Sequence, residues 1–309
     1  MERERDSPAE TAEARRLAES VFAATGEVVH ALTALEGLRP PELEALWDEI
    51  AGFARPSARL VVAGDVAGGV SKLGGLPRVD DAFEWPRDPH GAPLPCLGQI
   101  DLGQVHQVCW DPLLPEGGVL SLFYDANSQP GGYRPSDRGR WAIRHSPVES
   151  RLALAPPEVR VFPEVHLGVI GDLTLPENDS IEIQSLQLDR DQADAYESVL
   201  QSLELRHSAG RTRPIHRALG WPGETRHDPA IAAQLASNGV DAGDPGAYRR
   251  DETRRLLDGR RTWRLIAQID SEESAQMLSG MYGPVYFLMR EGDIRDRAWD
   301  QAWATMQRS

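Results

Sequence analysis

Six polar residues recur in matched order along this 309-residue chain and set the chemistry it could perform. Lys72, Gln99 and Asp101 fall in the phrases SKLGGLP (71–77) and LGQID (97–101). Arg217, Gln268 and Asp270 fall in HRALGWP (216–222) and IAQID (266–270). Aligned, Lys72 lies over Arg217, Gly75 over Gly220, Pro77 over Pro222 and Asp101 over Asp270. On a strand, Gln99 and Asp101 share one face, as do Gln268 and Asp270. Two carboxylates meeting at a junction, with Lys72 and Arg217 beside them, could divide acid and base roles once their surroundings split their pKa values. The six residues are therefore the candidate ligand-binding set.

The same spacing has a structural reading, and it is the stronger one. Gln104 follows Asp101 by three residues and Glu273 follows Asp270 by three. This is capping-box spacing, in which the aspartate closes a helix N-terminus on backbone amides. The expectation is that both aspartates cap helices and that the glutamines satisfy backbone at the adjoining turns.

Other chemistries lack their residues. GGVSKLGGLP (68–77) is glycine-rich, but its lysine precedes the last glycines and no Gly-Lys-Ser/Thr follows, so a phosphate loop fails on spacing. The eight histidines form no HxH, HxxxH or HExxH, and no metal site is expected. Cys96 and Cys109 make no CxxC and read as reduced, buried thiols. No Gly-x-Ser-x-Gly elbow occurs, so no catalytic residue and no cofactor are assigned.

The elements that must position the six residues follow from periodicity. Residues 1–54 read as a helical N-terminal extension. Within it, 12–26 has Leu17, Val21 and Phe22 at helical spacing, and PELEALWDEIAGFA places Leu43, Leu46, Trp47 and Ile50 on one face behind a proline. Residues 55–309 read as one domain of two related halves, about 58–188 and 189–309. ARLVVAG (58–64), LFYD (122–125), WAIRH (141–145) and 159–171 read as strands, and the alternation in DSIEIQSLQL (179–188) points to another. Helices are expected over 189–204, where Tyr196, Val199, Leu200 and Leu203 share a face, and over 228–239 behind an Asp-Pro start. The short, charged run 249–261 reads as an insertion. IRDRAWDQAWATMQ (294–307) reads as a terminal helix or strand-helix that buries Trp299, Trp303 and Met306. The fold class expected is α+β, with mixed or antiparallel sheets and an internal pseudo-duplication.

Between LFYD and WAIRH lies DANSQPGGYRPSDRGR, which carries Arg134, Arg138 and Arg140. Long turn-rich connections are commonly functional, so the three arginines are a candidate partner-binding loop. The polar run leaves little apolar area to order it, and 126–140 is expected to be the most mobile internal segment.

Charge bounds the partners. The chain has 33 Lys and Arg against 48 Asp and Glu, a formal net charge of −15. Such a field repels phosphate backbones and anionic lipid and favours a basic protein partner. The opening MERERDSPAE has no apolar core, so no signal peptide is expected, and no run approaches a membrane span. A cytoplasmic location follows as the expectation.

Several motifs in fixed order carry a family resemblance: SKLGGLP, FEWP (83–86), PLPCLGQIDL (93–102), LPEGGVLSLFYD (114–125), HRALGWP, ASNGV (236–240), WRLIAQIDS (263–271) and GPVYFLM (283–289). Together they resemble the YwqG-like family, a bacterial domain family of unknown function, over roughly 60–309. The resemblance implies a single body with an internal duplication and no established activity. Two departures stand out. Ser279, Gly280 and Met281 occupy positions where the family often has Trp-Gly-Asp, and RVDDAFEWP replaces a more usual Leu-Pro before the phenylalanine. The function expected is a non-catalytic protein-binding module of immunity or regulatory type. The alternative is a small-molecule binder or enzyme that uses the groove between the halves.

Overall fold

The computed structural model describes residues 33, 35–63, 70–147, 151–205, 215–223, 225, 227–277 and 283–307. The expected helix over 12–26 and the departure at Ser279, Gly280 and Met281 lie outside them.

Twelve strands and seven α-helices are described. The strands are β1 (Arg55–Val62), β2 (Lys72–Leu73), β3 (Arg78–Val79), β4 (Cys96–Asp101), β5 (Val119–Tyr124), β6 (Trp141–Ser146), β7 (Arg151–Leu152), β8 (Val165–Thr174), β9 (His216–Ala218), β10 (Trp263–Ile269), β11 (Val285–Arg290) and β12 (Trp303–Met306). The helices are α1 (Trp47–Gly52), α2 (Leu102–Val108), α3 (Ile181–Leu186), α4 (Arg190–Leu205), α5 (Pro229–Ser237), α6 (Asp251–Leu257) and α7 (Glu291–Arg295).

Ten strands form one sheet in the order β12-β11-β10-β9-β1-β8-β2-β4-β5-β6, and β3 and β7 make a separate ribbon. Every pairing is antiparallel. The large sheet is nearly closed into a barrel. This corrects the α+β expectation: the molecule is dominated by one antiparallel sheet with few helices, and no mixed sheet occurs among the described residues.

Two stretches form elements other than those expected. Residues 179–188 alternate like a strand, yet 181–186 form α3. The Ser180 hydroxyl accepts from Ile183 N at 3.2 Å, and Gln187 stops the helix in the left-handed region at φ 54°. Capping chemistry overrides the alternation there. Conversely, 294–307 carries only the end of α7 and a 3-10 turn before it becomes edge strand β12.

β1 and β8 lie at the centre of the sheet, paired from Arg55–Thr174 to Val62–Leu167. On one side follow β9, β10, β11 and β12; on the other follow β2, β4, β5 and β6. In chain order β1, β2, β4, β5, β6 match β8, β9, β10, β11, β12. The first strand of each set therefore lies beside the second strand of the other: β1 pairs with β9 and β8 with β2. Even the irregularities match, since the β4–β5 register slips between Cys96 and Gly98 and the β10–β11 register between Leu265 and Ala267.

The inner face of the sheet is apolar. Ala58, Leu60, Leu73, Ile100, Ala218 and Ile269 belong to one buried cluster, with α2 packed against β1 and β8 beneath them. A second cluster joins the N-terminal segment to α4. Leu35, Leu43, Trp47 and Ile50 pack with Tyr196, Val199, Leu200 and Leu203. Both of these amphipathic faces are legible as 3.6-residue stripes.

The two ends of the sheet meet through tryptophan. The rings of Trp141 on β6 and Trp303 on β12 lie 5.0 Å apart edge-on, and Trp141 Nε1 donates to Ala302 O at 2.9 Å. Residues 126–140 fill the seam. Met306 N donates to Gly131 O at 3.1 Å, and Trp303 Nε1 donates to Gly132 O at 2.8 Å.

Candidate functional site

Alternation along each strand puts Lys72, Gln99, Arg217 and Gln268 on the face opposite the apolar cluster. Lys72 is paired in register with Gln99, and Arg217 with Gln268. All four side chains are buried.

Each cation reaches forward into its own loop. Lys72 Nζ donates to Leu76 O at 2.8 Å, four residues on, and meets Glu164 Oε2 at 2.6 Å. Arg217 Nη1 donates to Trp221 O at 2.9 Å, also four residues on, and Nη2 binds Glu204. Each glutamine then clamps the residue after the proline. Gln99 accepts from Arg78 N at 2.7 Å and donates to Arg78 O at 2.9 Å. Gln268 accepts from Gly223 N at 2.9 Å and donates to Gly223 O at 3.2 Å. The loops between need left-handed backbone, at Gly74 and Gly75 in one and at Leu219 and Gly220 in the other. A Cβ on Gly74 would lie 2.2 Å from Pro163 O, so glycine is required there for space as well as for φ.

The second station is the more charged. Glu204, near the end of α4, bridges Arg217 and Arg59, the latter at 2.7 Å, and Asp172 lies 3.6 Å from Arg59. Burial pushes the Glu204 carboxyl up, but Arg217 and Arg59 together hold it below the usual range. Elsewhere Arg260 binds Glu182 at 2.9 Å and Asp228 at 3.1 Å. Thus Arg59, Lys72, Arg217 and Arg260, the buried cations among the described residues, each have a carboxylate.

The two aspartates do different work. Asp101 caps α2, accepting from Gly103 N at 2.8 Å and Gln104 N at 3.3 Å. Asp270 does not cap a helix, contrary to the spacing argument. Its carboxylate accepts from Ile215 N at 3.0 Å and Ser271 N at 2.7 Å, tying the end of β10 to the start of β9. The two lie five strand positions apart, about 24 Å along the sheet. Each is already satisfied locally, so the structure does not bring them together as an acid–base pair.

The arginines of the 126–140 segment also have partners. Arg140 meets Asp125 at 2.7 Å, Arg134 lies 3.6 Å from Asp241, and the Arg138 guanidinium stacks 5.1 Å from the Trp303 ring. Tyr124 Oη donates to Pro130 O at 2.7 Å beneath them. The segment is tied down at several points.

Sequence reasoning missed Arg59, Glu164, Glu204 and the pair His216–Glu272. Arg59 and Glu204 come from distant segments and carry no local signal. His216 was within reach, because it opens the repeated phrase in the position Ser71 holds in the first copy.

With the stations described, the family model decides the relationship. The match runs over residues 71–307, described as a domain of unknown function (DUF1963). The chain belongs to this family. The matched region begins beside Lys72 and ends after β12, so it contains both repeated loops and their glutamine clamps but leaves the packed N-terminal segment and β1, with Arg59, outside. No curated protein matches the chain. Among the described residues, no helix is long and apolar enough to cross a membrane, and no group of three or more His, Cys, Asp or Glu side chains is placed to hold a metal ion.

Proposed function

We propose that this DUF1963 chain is a cytoplasmic binding module for a basic protein partner, of immunity or regulatory type. The observation that carries the reading is an acidic helical face. The segment leading into α1 exposes Glu42 and Glu44, α1 itself exposes Asp48 and Glu49, and Arg39 nearby is paired with Glu44. α4, which packs against that segment, exposes Asp191, Asp194 and Glu197. Apolar side chains on the inner sides of both elements fix them in one layer, so the charges are held as a surface. A field of this sign speeds encounter with a basic surface and repels nucleic acid. The buried cations of the two repeated loops are paired with carboxylates, whereas the acids of this face are exposed. Buried, unoxidised Cys96 and Cys109 suit a reducing compartment.

The test uses fluorescence anisotropy with a lysine-rich peptide and duplex DNA at about 50 and 300 mM salt, where screening differs strongly. A variant combining Glu42→Lys, Asp48→Lys and Asp194→Lys is compared with one that makes the same charge change on the exposed side chains of Asp81, Glu84 and Glu158. Salt-sensitive peptide binding lost only in the helical-face variant supports the proposal. Equal loss in both variants reduces the effect to net charge and removes the face as a site. DNA binding would overturn the charge argument.

A further inference from the structure

We infer that His216 and Glu272 form a proton-operated latch on the end of β10, of which Ser71 and Gln104 are the non-titrating counterpart on β4. In the first strand set, Ser71 Oγ accepts from Asp101 N at 3.0 Å and donates to Gln104 Oε1 at 2.7 Å. In the second, His216 Nδ1 accepts from Asp270 N at 3.1 Å, and Nε2 faces Glu272 Oε2 at 3.7 Å. Ser71 and His216 occupy matched positions and do similar tasks: each takes the strand-end amide and faces a side chain in the segment that follows, three residues after Asp101 in one set and two after Asp270 in the other. Only the second version contains groups that change charge.

The geometry fixes the protonation of the ring. A backbone amide can only donate, so Nδ1 is bare and the neutral ring carries its proton on Nε2. His216 is 2% exposed, and Nε2 has no hydrogen-bond partner within normal distance. The charged groups around it are few. The Asp270 carboxylate is engaged by Ile215 N and Ser271 N. Arg217 lies on the opposite face with Glu204. The cross-strand neighbour on β1 is Leu60. Among the described residues, Glu272 is therefore the one anion aimed at the ring. The imidazole facing it and the hydrogen bonds from Ser274 hold its carboxyl at about 2, so it stays ionised at any ordinary pH.

A second proton must go onto Nδ1. That places one N–H against another and takes the acceptor from Asp270 N, while the imidazolium gains attraction to Glu272. The ring thereby shifts its allegiance from the strand end to the turn that follows. This turn is closed by the Glu272–Met277 bridge, buries Ala275 and Met277, and is touched from outside by Arg160 on Gln276 O at 3.3 Å.

The test is amide hydrogen exchange of the full chain between pH 8 and pH 5, corrected for intrinsic rates, with Asp101 as the internal control. The expected result is at least a tenfold loss of protection at Asp270 N across this range and no change at Asp101 N. Installing the first-set pair through His216→Ser with Glu272→Gln should flatten the response. Should that variant fail to fold, ring NMR of the unmodified chain decides: His216 should show the Nε2–H tautomer at pH 8 and titrate before pH 5. Equal protection of both amides at every pH, an Nδ1–H tautomer, or a ring silent over the range would each overturn the latch.

Discussion

At the residue scale, the repeated polar residues act as fasteners for two loops. Gln268 is fully buried and satisfies both backbone groups of Gly223. Gln268→Ala leaves Gly223 N without its acceptor, while Gly223 O keeps the Tyr286 hydroxyl at 2.9 Å, and should cost about 1–3 kcal/mol, read as a lower urea midpoint at unchanged slope. Gln268→Glu keeps the acceptor for Gly223 N, loses the donor to Gly223 O, and should fall between. Glu204 gives a pH-dependent case. Its folded carboxyl lies below the ordinary glutamate range because Arg217 and Arg59 outweigh burial. The stability it contributes is therefore fully present above pH about 4.3 and is lost as pH falls through the depressed folded value. Glu204→Gln should destabilise by about 3 kcal/mol at pH 7, since it strips the shared anion from two buried arginines. The gap to the unmodified chain should narrow on acidification; a gap independent of pH would show that the carboxylate charge is not what matters. Of these contacts, the sequence displayed the recurrence of Lys72, Gln99, Arg217 and Gln268 but hid the partners. Glu164 and Glu204 lie far along the chain, and no local pattern announces which carboxylate a buried cation will find.

Elements were legible where one signal stood alone. Asp228-Pro229 opens α5 with Asp228 accepting from Ala230 N at 2.8 Å, and the Tyr196, Val199, Leu200 and Leu203 stripe is buried on α4. They were misread where two signals competed, as over 179–188, where alternation hid a capped helix. The helical spacing of Trp299, Trp303 and Met306 misled in the other direction, because Trp303 is drawn into an edge strand by its contact with Trp141. The 126–140 segment was read from composition as mobile, but composition does not show that its backbone serves as the seam of the sheet. Its anchors lead to the opposite expectation: Gly132 N, which donates to Asp137 Oδ2 at 3.0 Å, and Met306 N, which donates to Gly131 O, should exchange slowly. Gly132 adopts φ 73°, and a Cβ there would come within 1.9 Å of Ala304 O. Gly132→Ala should therefore open the seam and accelerate exchange at Met306 N by more than tenfold. Fast exchange throughout the segment in the unmodified chain would return it to the mobile class.

For the whole molecule, the exchange of β1 and β8 between the two strand sets decides how separable those sets are. A plain tandem repeat would place each set's five strands side by side, with one connection between two self-sufficient bodies. Here β1 hydrogen-bonds to β9 and β8 along its length, and β8 hydrogen-bonds to β2. Neither set has a complete sheet without a strand from the other, and Trp141 and Trp303 join the far ends as well. The chain should therefore unfold in a single cooperative transition despite its length. A cut between the sets tests this without truncation. A protease site inserted after Pro157, on an exposed stretch of the β7–β8 connection, severs the backbone while leaving every strand intact. The nicked protein should elute from gel filtration at the volume of the uncut chain, and its fragments should part only in denaturant, at a midpoint slightly lowered by the lost linkage. Fragments that separate in native buffer would mean that the central β1–β8 ladder and the seam contribute too little to hold the molecule, and that each set closes its own core.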